Sequence, residues 1–322
     1  MKKILQVQSL KKYFPIYGGL LSREIGQVKA VDDVTFDINE GEILGLVGES
    51  GCGKTTVGRM TLRLLEPTSG NIFFEETNLL SLKGKELAMI RPKIQIIFQD
   101  PYSSLNPRFT VERVIGEALS VHGLAQGNEL REKIETLMEK VGLSKMYLKR
   151  FPHEFSGGQR QRIGIARALA LNPKYIVCDE PVSALDVSIQ AQIINLLQSL
   201  QKEDNLSLLF ISHDLNVVKH LSQRTAVMYL GKIVEMAPTE LLNRKAAHPY
   251  TQALLASKPS LDPTDRKRFQ PLQGDVPSPI SPPSGCHFHP RCPKAEDRCK
   301  TEIPRQIELE EGHMVNCHLY NG

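Results

Sequence analysis

One glycine-rich stretch constrains the fold of this chain more than any other feature. Residues 48–55 read Gly-Glu-Ser-Gly-Cys-Gly-Lys-Thr; they follow the apolar run Ile43–Val47 and precede a helical pattern that reaches about Leu65. This order of strand, glycine-rich turn and helix is the context in which the G-x-x-x-x-G-K-[ST] pattern indicates a phosphate-binding loop. Backbone N–H groups of the loop and the positive end of the following helix then surround a polyphosphate.

The same pattern assigns roles within the loop. Lys54 is expected to pair with β- and γ-phosphate oxygens, and Thr55 to offer its hydroxyl to Mg²⁺. The residues expected to contact the nucleotide here are Gly48, Glu49, Ser50, Gly51, Cys52, Gly53, Lys54, Thr55 and Thr56.

Length and composition exclude several classes of protein. The 322 residues suffice for one large α/β domain and a smaller unit. The net charge is +4 and no block of lysine or arginine resembles a nucleic-acid arm, so we expect no nucleic-acid partner. Every apolar run is of strand length, which predicts no membrane span. The first residues, Met1–Gln6, lack the apolar core of a signal peptide, and we therefore expect the protein in the cytosol.

Two buried strands are predicted to deliver polar groups to one sheet edge. Residues 175–178 are apolar and lead to Asp179 and Glu180. We expect Asp179 to hold Mg²⁺ and Glu180 to act as general base on the attacking water. The run Leu206–Ile211 leads to His213, which is expected to hydrogen-bond the γ-phosphate.

A third strand, Ile94–Phe98, ends at Gln99. Ligands of α/β sheets bind outside the carboxyl ends of the strands, so Gln99 is expected to reach Mg²⁺ or the attacking water. Residues 102–107 are predicted to be rich in turns.

A second helix start carries a phosphate-binding pattern. Ser156-Gly157-Gly158-Gln159 opens a helix predicted from Arg160 to Leu171. Ser156 suits an N-cap, and the two glycines leave backbone N–H groups bare at the positive end of the helix. Upstream, apolar residues at helical spacing from Val111 to about Leu148 predict a helical subdomain inserted into the α/β core.

The N-terminal part alternates apolar and polar residues. Leu5–Phe14 and Val28–Ile38 are predicted to be antiparallel strands, and Pro15–Gln27 is predicted to be a loop. Tyr13 is either an aromatic residue that stacks on adenine or a half-buried strand residue; the pattern alone leaves both open.

Taken together and in this order, these segments resemble the nucleotide-binding subunit of an ABC transporter over about residues 5–242. The matching motifs are the adenine-stacking aromatic at Tyr13, the phosphate loop at 48–55, the Q-loop at Gln99, the signature at 156–159, the Walker B strand ending at Asp179 and Glu180, the D-loop Ser183–Asp186 and the switch histidine His213. The resemblance implies an α/β P-loop NTPase core with an antiparallel β subdomain. It also implies an ABC ATPase domain over 1–244 with a helical subdomain at about 101–165, then a small Cys-rich domain over 245–322.

The resemblance further implies how such a chain works. ATP and Mg²⁺ are bound in a dimer, in which the signature motif of one subunit completes the phosphate-loop site of the other, with Asp186 among the nucleotide-binding residues. The partner is a second related ATPase subunit, in a heterodimer or a homodimer. An ABC ATPase that acts on nucleic acid would usually fuse two cassettes or insert a long coiled coil between the phosphate loop and the signature. A P-loop kinase or GTPase would lack the signature and His213. The presence of both Glu180 and His213 opposes a protein that binds ATP without hydrolysing it.

A narrower resemblance connects the chain to dipeptide and oligopeptide importers. It rests on residues 99–108, on His248-Pro249-Tyr250 and on the late cysteines; the opening Lys12-Tyr13-Phe14-Pro15 is similar to the F-type ATPase of these systems. It implies two membrane permease subunits, an external peptide-binding protein, and a place on the cytoplasmic face of the cell membrane. The cargo stays open among dipeptides, longer peptides, nickel chelates and other solutes.

The C-terminal part begins with a proline-rich linker and ends in four cysteines. The prolines are Pro259, Pro263, Pro271, Pro277, Pro279, Pro282 and Pro283, and the cysteines are Cys286, Cys292, Cys299 and Cys317, spaced C-x₅-C-x₆-C-x₁₇-C. Zinc sites usually show tighter C-x₂₋₄-C pairs. The importer resemblance favours a [4Fe–4S] cluster. The alternatives are Zn²⁺ with help from His287, His289, His313 or His318, and free or sensor thiols.

Overall fold

The computed structural model describes residues 2–19, 22–256 and 274–320. Its strands are β1 Lys3–Gly18, β2 Arg23–Asn39, β3 Ile43–Val47, β4 Ser69–Phe74, β5 Thr77–Asn78, β6 Ile94–Ile97, β7 Tyr175–Asp179, β8 Ser207–Ser212, β9 Arg224–Tyr229, β10 Lys232–Pro238, β11 Gln306–Glu310 and β12 His313–Asn316. Its helices are α1 Lys54–Thr61, α2 Gly84–Ile90, α3 Pro101–Ser104, α4 Val111–Val121, α5 Gly127–Lys140, α6 Gly157–Leu169, α7 Val187–Asp204, α8 Leu215–Leu221, α9 Thr239–Lys245, α10 Pro249–Ala256 and α11 Arg298–Thr301.

The chain forms two compact units. The first contains the segment up to Leu5 together with Ile38–Ile43 and Phe74–Ser212, and the second contains Gln6–Asp37, Leu44–Phe73 and the chain from His213 onwards. Prolines 259, 263 and 271 of the predicted linker lie outside the described residues. In the described part of the chain, no helix is long and apolar enough to cross a bilayer.

The first unit contains a parallel sheet. Strand β7 pairs with β6 on one side and with β8 on the other, with Val177 opposite Ile96 and Leu209. Every residue of β7 and β8 is buried, as expected for a parallel sheet covered on both faces. Because both faces are covered, these strands consist of continuous apolar runs, and such runs can be recognised in the sequence.

The segment predicted to form a helical subdomain contains helices in this unit. Helices α4 and α5 bury apolar stripes that include Val114, Ile115 and Ile134. They approach so closely at Gly116 that a β-carbon there would lie 2.8 Å from Ile134 Cδ1. The segment predicted to be rich in turns contains the one-turn helix α3, which is capped by Asp100.

The second unit contains two groups of strands. Strands β2, β1 and β4 lie side by side in that order. In the other group, β3 runs parallel to β9, and β9, β10, β12 and β11 follow as antiparallel neighbours. Buried β3 leads directly into the glycine-rich loop and α1, the order that the sequence predicts.

The loop predicted over Pro15–Gln27 is wrong for most of its length. Strand β1 continues to Gly18 and β2 begins at Arg23. Gly18 lies against the opposite strand, because a β-carbon there would meet Ile25 Cδ1 at 2.6 Å. Gly18 thus allows the two strands to approach closely, and glycine can have this role within a sheet as well as in a loop.

The separate Cys-rich C-terminal domain is not supported. Strand β12 pairs antiparallel with β10, with Val315 opposite Glu235, so the C-terminal hairpin extends the sheet of the second unit. Ala247, Val315 and Cys317 form a buried cluster beside it. The sequence did not indicate this pairing, because strand pairing over such a sequence distance leaves no local pattern.

Candidate functional site

The phosphate loop surrounds a buried ammonium group. Lys54 is only 4% exposed, and its Nζ donates hydrogen bonds to the carbonyl oxygens of Gly48 at 2.8 Å and Glu49 at 3.0 Å. Cys52 Sγ lies 3.8 Å from the same nitrogen. A cation held in this way inside a loop of small residues suits the binding of a polyphosphate.

Two glycines of the loop have no room for a side chain. A β-carbon at Gly53, whose φ is +107°, would lie 2.1 Å from Ala30 O, and one at Gly48 would lie 2.1 Å from Met228 O. The loop is therefore clamped between two backbone segments of the second unit. Ser50 and Gly51 are exposed, whereas Thr55 and Thr56 at the start of α1 are half-buried.

The C-terminal part of the chain also holds the loop, through Glu49. Arg291 donates two hydrogen bonds to the Glu49 carboxylate, at 2.8 and 3.1 Å. The backbone N–H of Glu49 donates to the Tyr250 hydroxyl at 2.9 Å. Sequence reasoning missed both residues; the only available signal was their position in the histidine–proline motifs at 248–250 and 289–291.

Tyr13 is tied by its hydroxyl to strand β2. The hydroxyl donates to Asp32 Oδ1 at 2.5 Å, and Lys232 forms an ion pair with Asp32 at 3.0 Å. Burial alone would raise the pKa of Asp32, but the hydrogen bonds from Tyr13 and Lys232 outweigh it and lower that pKa. Asp32 therefore stays ionised and fixes the half-buried ring, a supporting role that the sequence did not indicate.

In the first unit, Gln99 and Glu180 come together. Gln99 Nε2 donates to Glu180 Oε2 at 3.1 Å. Asp179 ends β7 with 3% exposure, and Glu180 follows in a left-handed conformation with φ 46°. Non-glycine residues rarely adopt this conformation, and such strain is often kept at functional sites. The predicted general base therefore lies on a strained turn beside the Q-loop glutamine.

The signature motif is an N-terminal helix cap, as predicted. Gln159 N–H donates to Ser156 Oγ at 3.3 Å, and Ser156 N–H donates to Gln159 Oε1 at 3.1 Å. Helix α6 begins at Gly157 rather than at the predicted Arg160, so both glycines lie in its first turn. A β-carbon at Gly158 would lie 2.5 Å from Ile189 Cγ2, so packing on α7 also requires glycine there.

Asp186 has a local role that sequence reasoning missed. Its carboxylate accepts hydrogen bonds from Ile189 N at 3.0 Å and Ser188 Oγ at 2.7 Å, which caps α7. The bond from the Ile189 backbone is the main reason for the lowered pKa of Asp186.

The remaining predicted residue, His213, is exposed and directly follows β8, just before Asp214 caps α8.

The four C-terminal cysteines gather without forming a metal site. All four are free thiols, and Cys286 N–H donates to Cys299 O at 2.9 Å. Burial, and to a smaller extent the charges of the other three, raise the pKa of the Cys286 thiol to about 11. Among the described residues, however, no group of three or more His, Cys, Asp or Glu is placed to hold a metal ion. The structure therefore gives the predicted [4Fe–4S] cluster no support.

Each histidine proposed for zinc has one ring nitrogen within hydrogen-bond distance of an oxygen atom of the protein. Ring nitrogens of His287, His289 and His318 lie within hydrogen-bond distance of the carbonyl oxygens of Leu230, Cys286 and Glu302. His313 Nε2 lies 2.8 Å from Glu235 Oε1 in a buried pair. Each of these contacts uses one ring nitrogen, as is usual for histidines that bind metal, so the contacts do not decide the question. Zinc binding is not supported because no group of three or more His, Cys, Asp or Glu among the described residues is placed to hold a metal ion.

Two family models match the chain. The model described as ABC transporter matches residues 31–183, and the model described as oligopeptide/dipeptide transporter, C-terminal region, matches residues 234–299. The first match contains the phosphate loop, Gln99 and the signature motif, and the second ends at Cys299.

Relatives and solved structures agree with these models. The chain is 53% identical to oligopeptide transport ATP-binding protein AppF of Bacillus subtilis, over 99% of this chain and 98% of that protein. It is 51% identical to probable peptide ABC transporter ATP-binding protein y4tS of Sinorhizobium fredii, over 98% of this chain and 90% of that protein. The dimeric post-hydrolysis structure of the ATP-binding cassette MJ0796 with ADP and Pi matches with a TM-score of 0.65 at 28% identity, over 73% of this chain and 98% of that one. CbiO1 from Clostridium perfringens matches with a TM-score of 0.65 at 25% identity, over 76% of this chain and 92% of that one. The chain therefore belongs to the ABC transporter family, as an ATP-binding protein of the oligopeptide/dipeptide transporter group.

Proposed function

We propose that this chain hydrolyses ATP to drive the import of di- or oligopeptides through a membrane ABC transporter. The observation that carries this proposal is the buried Lys54 ammonium inside the glycine-rich loop, since that loop is built for a polyphosphate. Relatives at about 50% identity over nearly the whole chain bear names of peptide transport proteins, which supports peptide as the cargo.

The proposed catalytic roles follow the motif positions. Lys54 binds phosphate oxygens, and Glu180 accepts the proton of the attacking water, oriented by its bond to Gln99. Thr55, Gln99 and Asp179 offer oxygen donors, which suit Mg²⁺. Mg²⁺ held by these residues would neutralise charge on the transferred phosphoryl group. His213 and Tyr13 are proposed to contact the γ-phosphate and the adenine.

The active form is proposed to be a dimer. ATP lies between the phosphate loop of one subunit and the signature motif of the other, and the N-terminus of α6 supplies bare N–H groups to the γ-phosphate. The MJ0796 cassette, a dimer bound to ADP and Pi, supports a dimeric state. The partner is a second related ATPase or a second copy of this chain, and the similarity to AppF fits an F-type subunit.

The permease subunits are proposed to dock at residues 99–108. Tyr102 in this segment is 66% exposed, although its ring carries the Arg160 guanidinium 3.5 Å from its centroid. Arg160 lies on α6, and Arg167 on the same helix donates a hydrogen bond from Nη1 to Ser104 O at 2.6 Å. Force on this segment would therefore reach α6 and its signature motif. Such docking places the chain on the cytoplasmic face of the membrane, with a peptide-binding protein outside.

The [4Fe–4S] cluster stays a proposal that rests on the importer resemblance alone, since no group of the described residues is placed to hold a metal ion. Iron, zinc and acid-labile sulfide in anaerobically purified protein test it. Four irons and four sulfides per chain, lost in Cys286→Ser, would support it. Stoichiometric zinc without colour, or no metal, would remove it and leave the ATPase assignment standing.

Co-purification tests the transporter assignment. The tagged chain is isolated from detergent-solubilised membranes of its own cells, and the bound proteins are identified. We expect a related ATPase and two multi-spanning membrane proteins, with Mg²⁺-dependent ATPase activity in the complex. Recovery of the chain with nucleic acid or ribosomes instead would overturn the proposal.

A further inference from the structure

Residues 286–317, which contain the four C-terminal cysteines and are called the cysteine-bearing segment, contribute an arginine that contacts the phosphate loop. Arg291 ends a short 3₁₀ turn, His289–Arg291, one residue before Cys292. Its guanidinium grips the Glu49 carboxylate with two hydrogen bonds of 2.8 and 3.1 Å, and its side chain is 6% exposed. This fork-to-fork geometry fixes direction as well as distance.

The environment of Arg291 makes the pair specific. The hydrogen bonds to Glu49 are the largest cause of the raised pKa of Arg291, which keeps the guanidinium charged. Glu49 is its ion-pair partner, and the Tyr229 ring lies beside it, with Arg291 Cζ 5.9 Å from the ring centroid. Within the described residues, Arg291 Nε has no hydrogen-bond partner. Removing Arg291 leaves the Glu49 carboxylate, which is 27% exposed, without its ion-pair partner.

A second contact fixes the backbone of the same residue. The Tyr250 hydroxyl accepts the Glu49 N–H at 2.9 Å. Tyr250 is fully buried, and its ring packs against Tyr229 at 4.7 Å and Phe288 at 5.4 Å between centroids. Phe288 belongs to the cysteine-bearing segment, so both contacts come from the same C-terminal packing.

Glu49 connects these contacts to Lys54. The Glu49 carbonyl oxygen accepts a hydrogen bond from Lys54 Nζ at 3.0 Å. An unpaired carboxylate in this loop would also repel a polyphosphate, because both are negative. Arg291 therefore acts on the loop in two ways, since it orients Glu49 and neutralises its charge.

We propose that Arg291 is a positioning residue of the phosphate loop, through which the C-terminal segment sets the affinity for ATP. This inference rests on the proposed function, because it assumes that the loop binds ATP. Its chemistry requires only the Arg291–Glu49 pair and applies whether or not the cysteines hold a metal.

The test measures binding of a fluorescent ATP analogue and steady-state ATPase kinetics in the full-length chain. In Arg291→Met, Glu49 is left as an uncompensated anion, and we expect KM and Kd for ATP to rise about tenfold while kcat changes about twofold or less. Arg291→Lys keeps the positive charge but cannot form two parallel hydrogen bonds to Glu49. Its KM and Kd for ATP are expected to lie between those of wild type and those of Arg291→Met. The matched control is Arg298→Met, since Arg298 binds Glu296 and His318 O in the same segment.

The double variant Arg291→Met/Glu49→Gln separates charge from folding. Removing the anion should recover most of the lost ATP affinity, which a merely structural role for Arg291 would not produce. No recovery, or equal affinity in wild type and Arg291→Met, would overturn the inference. If Arg291→Met does not fold, Arg291→Lys decides in its place, and wild-type affinity there would also overturn the inference. Failure of the wild type to bind ATP would instead refute the proposed function.

Discussion

The side-chain amide of Gln99 donates a hydrogen bond to the Glu180 carboxylate over 3.1 Å, across 81 residues of sequence. The backbone of Glu180 is fixed as well, because its carbonyl accepts from Ser183 N–H at 3.2 Å and from Ser183 Oγ at 3.1 Å. With φ at 46°, this residue pays a conformational cost that neighbouring contacts must offset. The carboxylate proposed as general base is thus oriented before any substrate arrives.

This arrangement predicts the behaviour of Glu180→Gln. The amide keeps the shape of the side chain but cannot accept a proton, so ATP binding should persist while hydrolysis falls about 10²-fold or more. The variant should then accumulate as an ATP-bound dimer in size-exclusion chromatography. Glu203→Gln, an exposed carboxylate on α7, serves as control. Normal turnover in Glu180→Gln would show that a group other than Glu180 accepts the proton of the attacking water.

Local patterns predicted much of this site because they depend on neighbouring residues. Ser156 caps α6 through Gln159, three residues away, and the apolar residues 175–178 form the buried strand before Asp179. The contacts that the sequence did not reveal join distant residues: Arg291 and Tyr250 lie 242 and 201 positions from Glu49. Such contacts depend on tertiary packing, for which one sequence offers no periodicity to read.

A glycine pair on α6 offers a stability prediction with an internal control. A β-carbon at Gly158 would lie 2.5 Å from Ile189 Cγ2, whereas one at Gly164 has no neighbour within 4 Å. Gly158→Ala should therefore destabilise the fold by about 1–3 kcal/mol. Gly164→Ala should be neutral or stabilise it by up to about 1 kcal/mol, because alanine favours helix. Denaturant unfolding measures both, and an equal effect of the two substitutions would contradict the packing argument.

His248 predicts a loss of stability in acid. Burial lowers the pKa of His248 to about 3, and its Nδ1 accepts the Tyr250 N–H at 3.1 Å, so the folded protein keeps the ring neutral. The unfolded chain takes up a proton near pH 6.5. Between these two pKa values the unfolded state binds more protons, so this contribution to stability is complete above pH 6.5 and is lost as the pH falls toward 3.

The variant His248→Gln should show a weaker dependence of unfolding free energy on pH between about 6.5 and 4. His122→Gln, at an exposed position after α4, should retain the wild-type slope. Parallel curves for wild type and His248→Gln would show that His248 does not stay neutral in the folded protein.

Peptide uptake by whole cells tests whether ATP bound at the phosphate loop drives peptide import. Uptake of a radiolabelled oligopeptide and a labelled dipeptide is measured in cells that lack this chain and are complemented with wild type, Lys54→Ala or the exposed-site control Lys202→Ala. We expect wild type and Lys202→Ala to restore uptake, whereas Lys54→Ala, present at an equal level, should not. Equal uptake with Lys54→Ala and wild type, or no peptide uptake that depends on the chain, would contradict the proposed function.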